Sequence, residues 1–409
     1  MKRILFILLI TGLALSACGV KEIATAPPLP TLSPVDRQTR VLDALHIAIG
    51  EQYIYTDFGG VNWENLRTET QDKIKGGLTH AEFEEAMSAL VDTLPGESVV
   101  YQTRAERIEI ELENTALYSG IGAYITVRTE PQPHIIIMAI IEGSPAESAG
   151  LKPHDSIYSV DGEPVTAEEG LDVVQRVRGE AGTPVELEVE SPDGLRRTVK
   201  VTRSKLTAAD SLQAFMLSNS GIAYLRLPVN PTPTFLQELG GVMQSVAERN
   251  VRGIILDMRV ARSGGGWPLS EMLTLFGNGR LGEFYSRADT TPVEVQGVNV
   301  GGSQDLPLVI LVGPDTEGSP EIFAAALQES GRAAVVGLPT SGNIFGYETV
   351  PLPDGSRLTL AISSYKTESG RDLGENGVEP DVIIESDWDE VSEADDPPLR
   401  KAIEIILRQ

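Results

Sequence analysis

The chain is poor in the side chains that most often serve as cross-links and as catalytic bases. Its 409 residues include one cysteine, Cys18, so no disulfide can form within the chain. All four histidines lie before residue 155, and no lysine occurs between Leu206 and Tyr365. In the second half only Lys366 and Lys401 remain, so a serine–histidine or serine–lysine pair could form there only through Lys366 or with a residue from elsewhere.

Positive charge is scarce as well. The chain has 33 Lys and Arg against 59 Asp and Glu, which gives a formal net charge of −26. This balance argues against nucleic acid and against anionic membrane surfaces as direct partners. Without a second cysteine or a closely spaced histidine pair, we also expect no metal site, and no motif indicates a cofactor. The length and the 41% hydrophobic content fit a globular protein of two or three domains.

The first 18 residues have the pattern of an export signal. Lys2 and Arg3 precede an apolar run, and Leu15-Ser16-Ala17 leads into Cys18. This resembles a bacterial lipoprotein signal, in which Cys18 would be lipidated, and the apolar run is too short to span a bilayer. The alternative is an ordinary secretory signal with an incidental cysteine. Four prolines in residues 19–36 predict an extended tether that holds the protein at the outer face of a bacterial membrane.

Residues 37–116 have helical periodicity. Val41, Leu42, Leu45 and Ile49 recur at helical spacing, and Thr79 begins a capped helix. We expect a helical N-terminal region here.

Residues 117–205 resemble a PDZ domain. The resemblance depends on three stretches: Gly120-Ile121-Gly122-Ala123, then residues 141–151, then Asp155–Gly162. It implies that the backbone N–H groups of Gly120, Ile121, Gly122 and Ala123 hold a terminal carboxylate, while a helix over Glu168–Val177 closes a groove for peptide or protein C-termini. The alternative is a PDZ fold that serves only as a spacer or lid.

Strands and helices alternate in residues 206–390, which predicts an α/β domain. Strands are expected at Gly221–Leu227 and Arg252–Arg259, with a helix at Thr234–Glu248 between them. We interpret the acidic stretch Asp387–Asp396 as a solvated connector to a closing helix within residues 391–409.

The segment Leu308–Tyr347 combines a short apolar strand, a turn and a helix start. Thr316–Ile322 lies over the pattern S-A-S-A-S-E-I, and residues 331–337 over R-A-x-x-V-G. The chain thus resembles the carboxyl-terminal processing, or tail-specific, serine peptidases. The resemblance implies a multidomain α/β protein, with a helical region, a PDZ domain and a ClpP/crotonase-like peptidase domain.

The family's catalytic positions hold other residues here. The nucleophilic serine falls on Gly318, the base lysine on Asn343 and a supporting glutamine on Tyr347. Glycine has no nucleophile, and an amide is not a useful base. The oxyanion-hole loop also departs from the family pattern, with Gly264, Gly265 and Gly266 after two additional residues.

Two functional hypotheses follow. In the first, the protein is a lipid-anchored pseudopeptidase that has no catalytic residues and binds peptide or protein C-termini. In the second, it is an active serine endopeptidase that cleaves exported proteins near their C-termini through a displaced site, with Ser319 and Lys366 as the fallback pair.

Overall fold

The computed structural model describes residues 32–95, 98–108, 119–206, 210–218, 220–263, 266–392 and 395–408. Cys18 and the tether residues 19–31 lie outside this range, as do Gly264 and Gly265.

The predicted N-terminal helices are present. They are α1 (Pro34–Gln52), α2 (Trp63–Gly77) and α3 (His80–Val91). The Ser33 side chain accepts a hydrogen bond from the Asp36 N–H at the start of α1. Thr79 and Glu82 form a capping box at the start of α3, as its sequence indicates.

These helices do not form a body of their own. Their apolar faces pack on an antiparallel sheet built mostly from the second half of the chain, and Leu42, Leu45 and Ile49 share a core with Leu358 and Leu360. The sheet runs in the order β1-β18-β13-β14, with β17 also beside β18. Its strands are β1 (Val99–Gln102), β13 (Gly279–Ser286), β14 (Thr290–Val295), β17 (Gly346–Pro351) and β18 (Arg357–Lys366). An amphipathic helix pattern indicates a buried face but not its partner, so sequence periodicity could not reveal this long-range pairing.

The PDZ-like region is a β-rich unit with its own core. The longer sheet runs β3-β4-β5-β7-β8, so β3 is an edge strand. The elements are β2 (Ser119–Gly120), β3 (Ala123–Arg128), β4 (His134–Ile140), α4 (Pro145–Ser148), β5 (Ser156–Val160), β6 (Glu163–Pro164), α5 (Val173–Val177), β7 (Pro184–Glu190), β8 (Arg196–Thr202) and β9 (Ser204–Lys205). The expected helix over Glu168–Val177 is shorter than predicted, because a 3-10 turn at Gly170–Asp172, with Gly170 at φ +50°, precedes α5.

The third region is a mostly parallel sheet of order β10-β11-β12-β15-β16-β19 with helices on its faces. Its elements are β10 (Gln213–Leu217), β11 (Ile222–Arg226), α6 (Phe235–Glu248), β12 (Gly253–Asp257), α7 (Leu269–Phe276), β15 (Leu308–Val312), α8 (Ser319–Glu329), β16 (Ala334–Gly337), α9 (Leu373–Asn376), β19 (Val382–Ile383) and α10 (Pro397–Arg408). All residues of β12 and β15 are buried, as expected for central strands covered on both faces. The predicted strands, α6 and the closing helix are confirmed within a few residues.

The acidic stretch near the C-terminus is not a solvated connector. Trp388 begins a 3-10 helix, Trp388–Glu390, and is buried. Asp396 is also buried, and its carboxylate accepts a hydrogen bond from Arg259 at 2.7 Å. Charge density alone indicates exposure here, but Asp389 and Asp396 pair with His134 and Arg259, which lie far away in the sequence.

Candidate active-site cleft

A cleft of about 650 Å³ opens where β15 ends and α8 begins. Three positions singled out from the sequence, Gly318, Asn343 and Tyr347, line it together with Ser319. The wall also carries apolar side chains, Phe284, Ile322, Ile344 and Phe345. A ligand site at the carboxyl end of a parallel strand, beside a helix N-terminus, is the usual arrangement in α/β sheets.

Glu321 joins the two loops that form this cleft. Its buried carboxylate accepts hydrogen bonds from the Gly318 N–H at 2.8 Å, the Gly342 N–H at 2.7 Å and the Thr340 hydroxyl at 2.5 Å. Burial raises the pKa of Glu321, although these three hydrogen bonds act in the opposite direction. Glu321 therefore holds the Gly318 turn at a fixed position relative to the Asn343 loop.

The space that a nucleophilic side chain at position 318 would need is already filled. A Cβ atom built on Gly318 would lie 2.7 Å from Ser263 Cβ and closer still to Ser263 Oγ, nearer than non-bonded atoms approach. Gly318 also has φ +72°, a left-handed conformation that suits glycine and strains other residues. Both features favour glycine at this position.

Ser263 also accepts the hydrogen bond of the first backbone N–H of α8. The Ser319 N–H donates to Ser263 Oγ at 2.5 Å. A backbone N–H at such a position is the kind of group that stabilises a developing oxyanion in acyl transfer. Since Ser263 is its acceptor, a substrate carbonyl could reach it only by displacing the serine.

No serine–base pair is formed among the described residues that line the cleft. They include neither histidine nor lysine. Asn343 Oδ1 accepts a hydrogen bond from the Tyr347 hydroxyl at 3.1 Å. The cleft cation Arg262 is paired with Asp315 at 2.8 Å and Glu317 at 3.7 Å. An arginine cannot act as a base near neutral pH.

The fallback pair Ser319 and Lys366 is not assembled. Lys366 ends β18 and is absent from the cleft lining, with its Nζ 4.2 Å from the centre of the Tyr285 ring. Ser319 lies at the cleft, as the first residue of α8. The structure does not bring Lys366 to the described cleft lining beside Ser319, and a displaced site built from this pair stays a prediction. The hydroxyl that lies nearest to the missing nucleophile belongs to Ser263, which the sequence reasoning did not single out.

A signal for Ser263 existed in the sequence. Relative to the family pattern, two additional residues precede the glycines of the oxyanion loop, and Ser263 directly precedes those glycines. Of the three loop glycines, Gly264 and Gly265 lie outside the described residues. Gly266 is exposed, has φ +101° and does not line the cleft.

The predicted carboxylate cradle lies at the start of β3. Ile121 and Ala123 are buried in the PDZ core, near Val173 and Val177 of α5. Gly122 has φ +84°, and a Cβ there would overlap the Ser144 side chain. Gly120 pairs with Ser204 through β2 and β9. Among the described strands β3 pairs only with β4, so the glycine loop, the outer edge of β3 and the neighbouring α5 form the elements of a groove for an added strand.

The PDZ unit contacts the loop that carries Gly318. Arg128, at the end of β3, donates to Asp315 Oδ2 at 2.7 Å, while Arg262 donates to Asp315 Oδ1 at 2.8 Å. Asp315 is buried, and its negative charge is compensated by these two arginines.

The described part of the chain has neither a metal-binding cluster nor a membrane-spanning helix. No group of three or more His, Cys, Asp or Glu side chains there is placed to hold a metal ion. Within the same ranges, no helix has the length and apolar character needed to cross a bilayer.

Comparison with known proteins identifies two domains. Residues 221–384 match the family Peptidase family S41, and residues 136–191 match the PDZ domain. The chain is 28% identical over 356 residues to a carboxyl-terminal-processing protease of Synechocystis sp., covering 82% of this chain and 78% of that one. It is 29% identical over 369 residues to the protein of that name from Picosynechococcus sp., covering 85% of this chain and 83% of that one.

Solved structures support the fold. The photosystem II D1 C-terminal processing protease superposes with a TM-score of 0.62 at 23% identity, covering 90% of this chain and all of that chain. Mature CPAF superposes with a TM-score of 0.53 at 13% identity, covering 91% of this chain and 98% of that one. The predicted fold class, a mixed α/β protein with a PDZ domain and a peptidase domain, is confirmed. The chain therefore combines a domain that matches peptidase family S41, over residues 221–384, with one that matches the PDZ domain, over residues 136–191.

Proposed function

We propose that this protein is a pseudopeptidase that binds peptide or protein C-termini and does not cleave them. One observation carries the proposal: Gly318 and Asn343 lie in the cleft where a hydroxyl and an amine would be needed, and Ser263 fills the space beside Gly318. Loss of nucleophile and base together removes most of the rate enhancement that such groups supply.

Binding is assigned to the PDZ groove. The edge strand β3, the glycine loop and α5 supply the components for strand addition and for holding a terminal carboxylate. The relatives named carboxyl-terminal-processing proteases fit this choice of ligand, since their name refers to the C-terminus.

Anchoring through a lipid on Cys18 completes the proposal. It is supported by the sequence of the first 18 residues and by the proline-containing stretch after them. Incorporation of labelled palmitate into the full chain in a bacterial host, and its loss in Cys18→Ser, would test the anchor separately from binding.

The binding experiment compares two peptides that differ only at the C-terminus. One ends in an apolar residue with a free carboxylate, and the other carries a C-terminal amide. We expect the purified protein to bind the carboxylate at least about tenfold more tightly, because a charge-assisted contact is worth about 1.5–3 kcal/mol. Equal affinity for both peptides would contradict the assignment to the cradle.

An active peptidase with a displaced site is the second candidate. The observation that favours it is the Ser263 hydroxyl, which contacts the Ser319 N–H at the helix N-terminus. A fluorophosphonate probe followed by peptide mass spectrometry distinguishes the two candidates. The pseudopeptidase has no adduct at any serine of the cleft, whereas an adduct at Ser263 or Ser319 together with peptide turnover would favour the displaced site.

A further inference from the structure

Two of the four histidines converge on one short segment near the C-terminus. His134 on β4 and His154 before β5 both belong to the PDZ unit, and both contact the 3-10 helix Trp388–Glu390. Their partners are 255 and 234 residues away in the sequence. The other two, His46 and His80, lie in the N-terminal helices.

Trp388 is enclosed from three sides. Its ring stacks on the His154 ring with 4.0 Å between centroids, and the Arg259 guanidinium lies 4.9 Å from the ring centre. The indole N–H donates to the Ile137 carbonyl of β4 at 3.1 Å. His154 Nδ1 lies 2.6 Å from the Trp388 carbonyl oxygen. Since the indole has polar and apolar partners on the PDZ unit and a cation on the peptidase domain, it joins the two.

Asp389 provides a second connection. His134 Nε2 lies 2.9 Å from Asp389 Oδ2, and the Ser156 hydroxyl donates to the same oxygen at 3.0 Å. Both members of the ion pair are largely buried. Loss of one charge of a buried ion pair is strongly destabilising, because the other charge is then left unpaired away from water.

We propose that Trp388–Glu390 is a proton-sensitive latch that holds the PDZ unit on the peptidase domain, with His134 and His154 as its two sensing groups. This device goes beyond the proposed function, because it concerns how the groove is positioned and not what the groove binds. It operates whether or not the cleft is catalytic.

Other charged groups face the latch and must be considered. His134 faces Asp389 and Arg128, with the Tyr158 ring 5.3 Å away and Arg196 over that ring. His154 faces Arg259, which is itself bonded to the buried carboxylates Asp257 and Asp396. The remaining acidic neighbours of the segment are Asp315, Asp387 and Glu390. Carboxyl groups ordinarily gain or lose their proton well below pH 6. Between pH 6 and 8 the histidines therefore account for most of the change in charge around the latch.

The two histidines respond to pH in opposite directions. For His134, burial lowers the pKa, but the hydrogen bond and charge of Asp389 outweigh it, so the docked pKa lies above the ordinary value of 6.5. Protonated His134 therefore stabilises docking of the PDZ unit on the peptidase domain. This stabilisation is fully present below pH 6.5 and is lost as pH rises through the raised pKa of His134. For His154, burial against Trp388 and the charge of Arg259 lower the pKa. Docking is therefore weakened as pH falls below 6.5, where a released His154 would take up a proton.

Docking is consequently strongest near the ordinary histidine pKa and weakens on both sides of it. Each unit of difference between the docked and released pKa changes the docking equilibrium about tenfold. A protein whose PDZ unit senses acidification and alkalinisation separately needs two histidines with opposite shifts, as found here.

The test follows the indole N–H resonance of Trp388 in the full-length protein by NMR between pH 5.5 and 8.5. The chain has three tryptophans, so Trp388→Phe assigns the signal. We expect the docked resonance to be most populated near pH 6.5 and to decline in both directions. His134→Gln should remove the decline on the alkaline side, and His154→Asn the decline on the acid side.

Asparagine is chosen at position 154 because it tolerates the left-handed φ of +75° there. His80→Gln is the matched control, since that histidine is exposed on α3 and far from the segment in sequence. A population that does not vary with pH, or one whose pH profile is the same in wild type and in both histidine variants, would overturn the proposal. A pH profile altered by His80→Gln would do so as well.

Discussion

A serine introduced at position 318 should destabilise the protein far more than backbone strain alone accounts for. The left-handed φ of +72° costs a non-glycine residue about 1–2 kcal/mol. The built Cβ would also lie 2.7 Å from Ser263 Cβ, and overpacking of this kind costs about 1–3 kcal/mol. Gly318→Ser should therefore lower the free energy of unfolding by about 2–5 kcal/mol.

The chain offers a matched control for the strain. Gly331 follows α8 with nearly the same φ, +70°, but no atom lies within 4 Å of its built Cβ. Gly331→Ser should therefore cost only the strain, about 1–2 kcal/mol. The difference between the two variants measures the clash with Ser263 together with the strain that the ψ of −125° adds at Gly318.

A double-mutant cycle identifies the clashing residue. Ser263→Gly removes both Oγ and Cβ, so Gly318→Ser in that background should cost only the backbone strain at position 318. The coupling free energy should be about 1–3 kcal/mol. Ser263→Ala retains the Cβ and should restore only part of the lost stability. Urea unfolding followed by circular dichroism measures the wild type and every one of these variants. The reasoning is refuted if Gly318→Ser costs no more than Gly331→Ser, or if the coupling is zero.

Three further outcomes are expected. Glu321→Gln should lower the free energy of unfolding by about 1–3 kcal/mol, because an amide cannot accept from all the donors that the carboxylate satisfies. Because burial raises the pKa of Glu321, the wild-type carboxyl favours the folded state more as pH falls towards that pKa, and this contribution should be absent from the pH dependence of unfolding in Glu321→Gln. Gly122→Ala should abolish binding of the carboxylate peptide, since its Cβ would overlap Ser144, whereas Gly143→Ala, with φ +74° and open space, should retain it; equal binding by both variants would contradict the assigned cradle.

Local features of the fold could be predicted from the sequence. The capping box at Thr79 and the helical spacing of α6 each depend on residues that are neighbours in the chain. The strand, turn and helix around Gly318 follow from an apolar run with a glycine and a proline after it. These signals are local, and local signals survive in any tertiary context that does not oppose them.

Long-range pairings could not be predicted in this way. β1 joins β18 across more than 250 residues, and Asp389 finds its partner on β4. The spacing of residues gives no information on which distant side chain compensates a charge. For this reason the sequence alone predicts that Asp387–Asp396 is exposed to solvent. The same limit applies to the cleft. Gly318 and Asn343 could be located by their spacing, whereas Ser263 lies in the loop after β12, and its position beside Gly318 is evident only from the structure.

The most direct test of the central claim is a cleavage assay on an unfolded protein with an apolar C-terminus. The account predicts no turnover by wild type, because the described cleft lining has no histidine or lysine to take a proton from a serine. The variant with Gly318→Ser and Asn343→Lys alone should also be inactive, since Ser263 still fills the space. Adding Ser263→Gly to those two changes should produce measurable cleavage. Turnover by wild type that disappears in Ser263→Ala or Ser319→Ala would contradict the account.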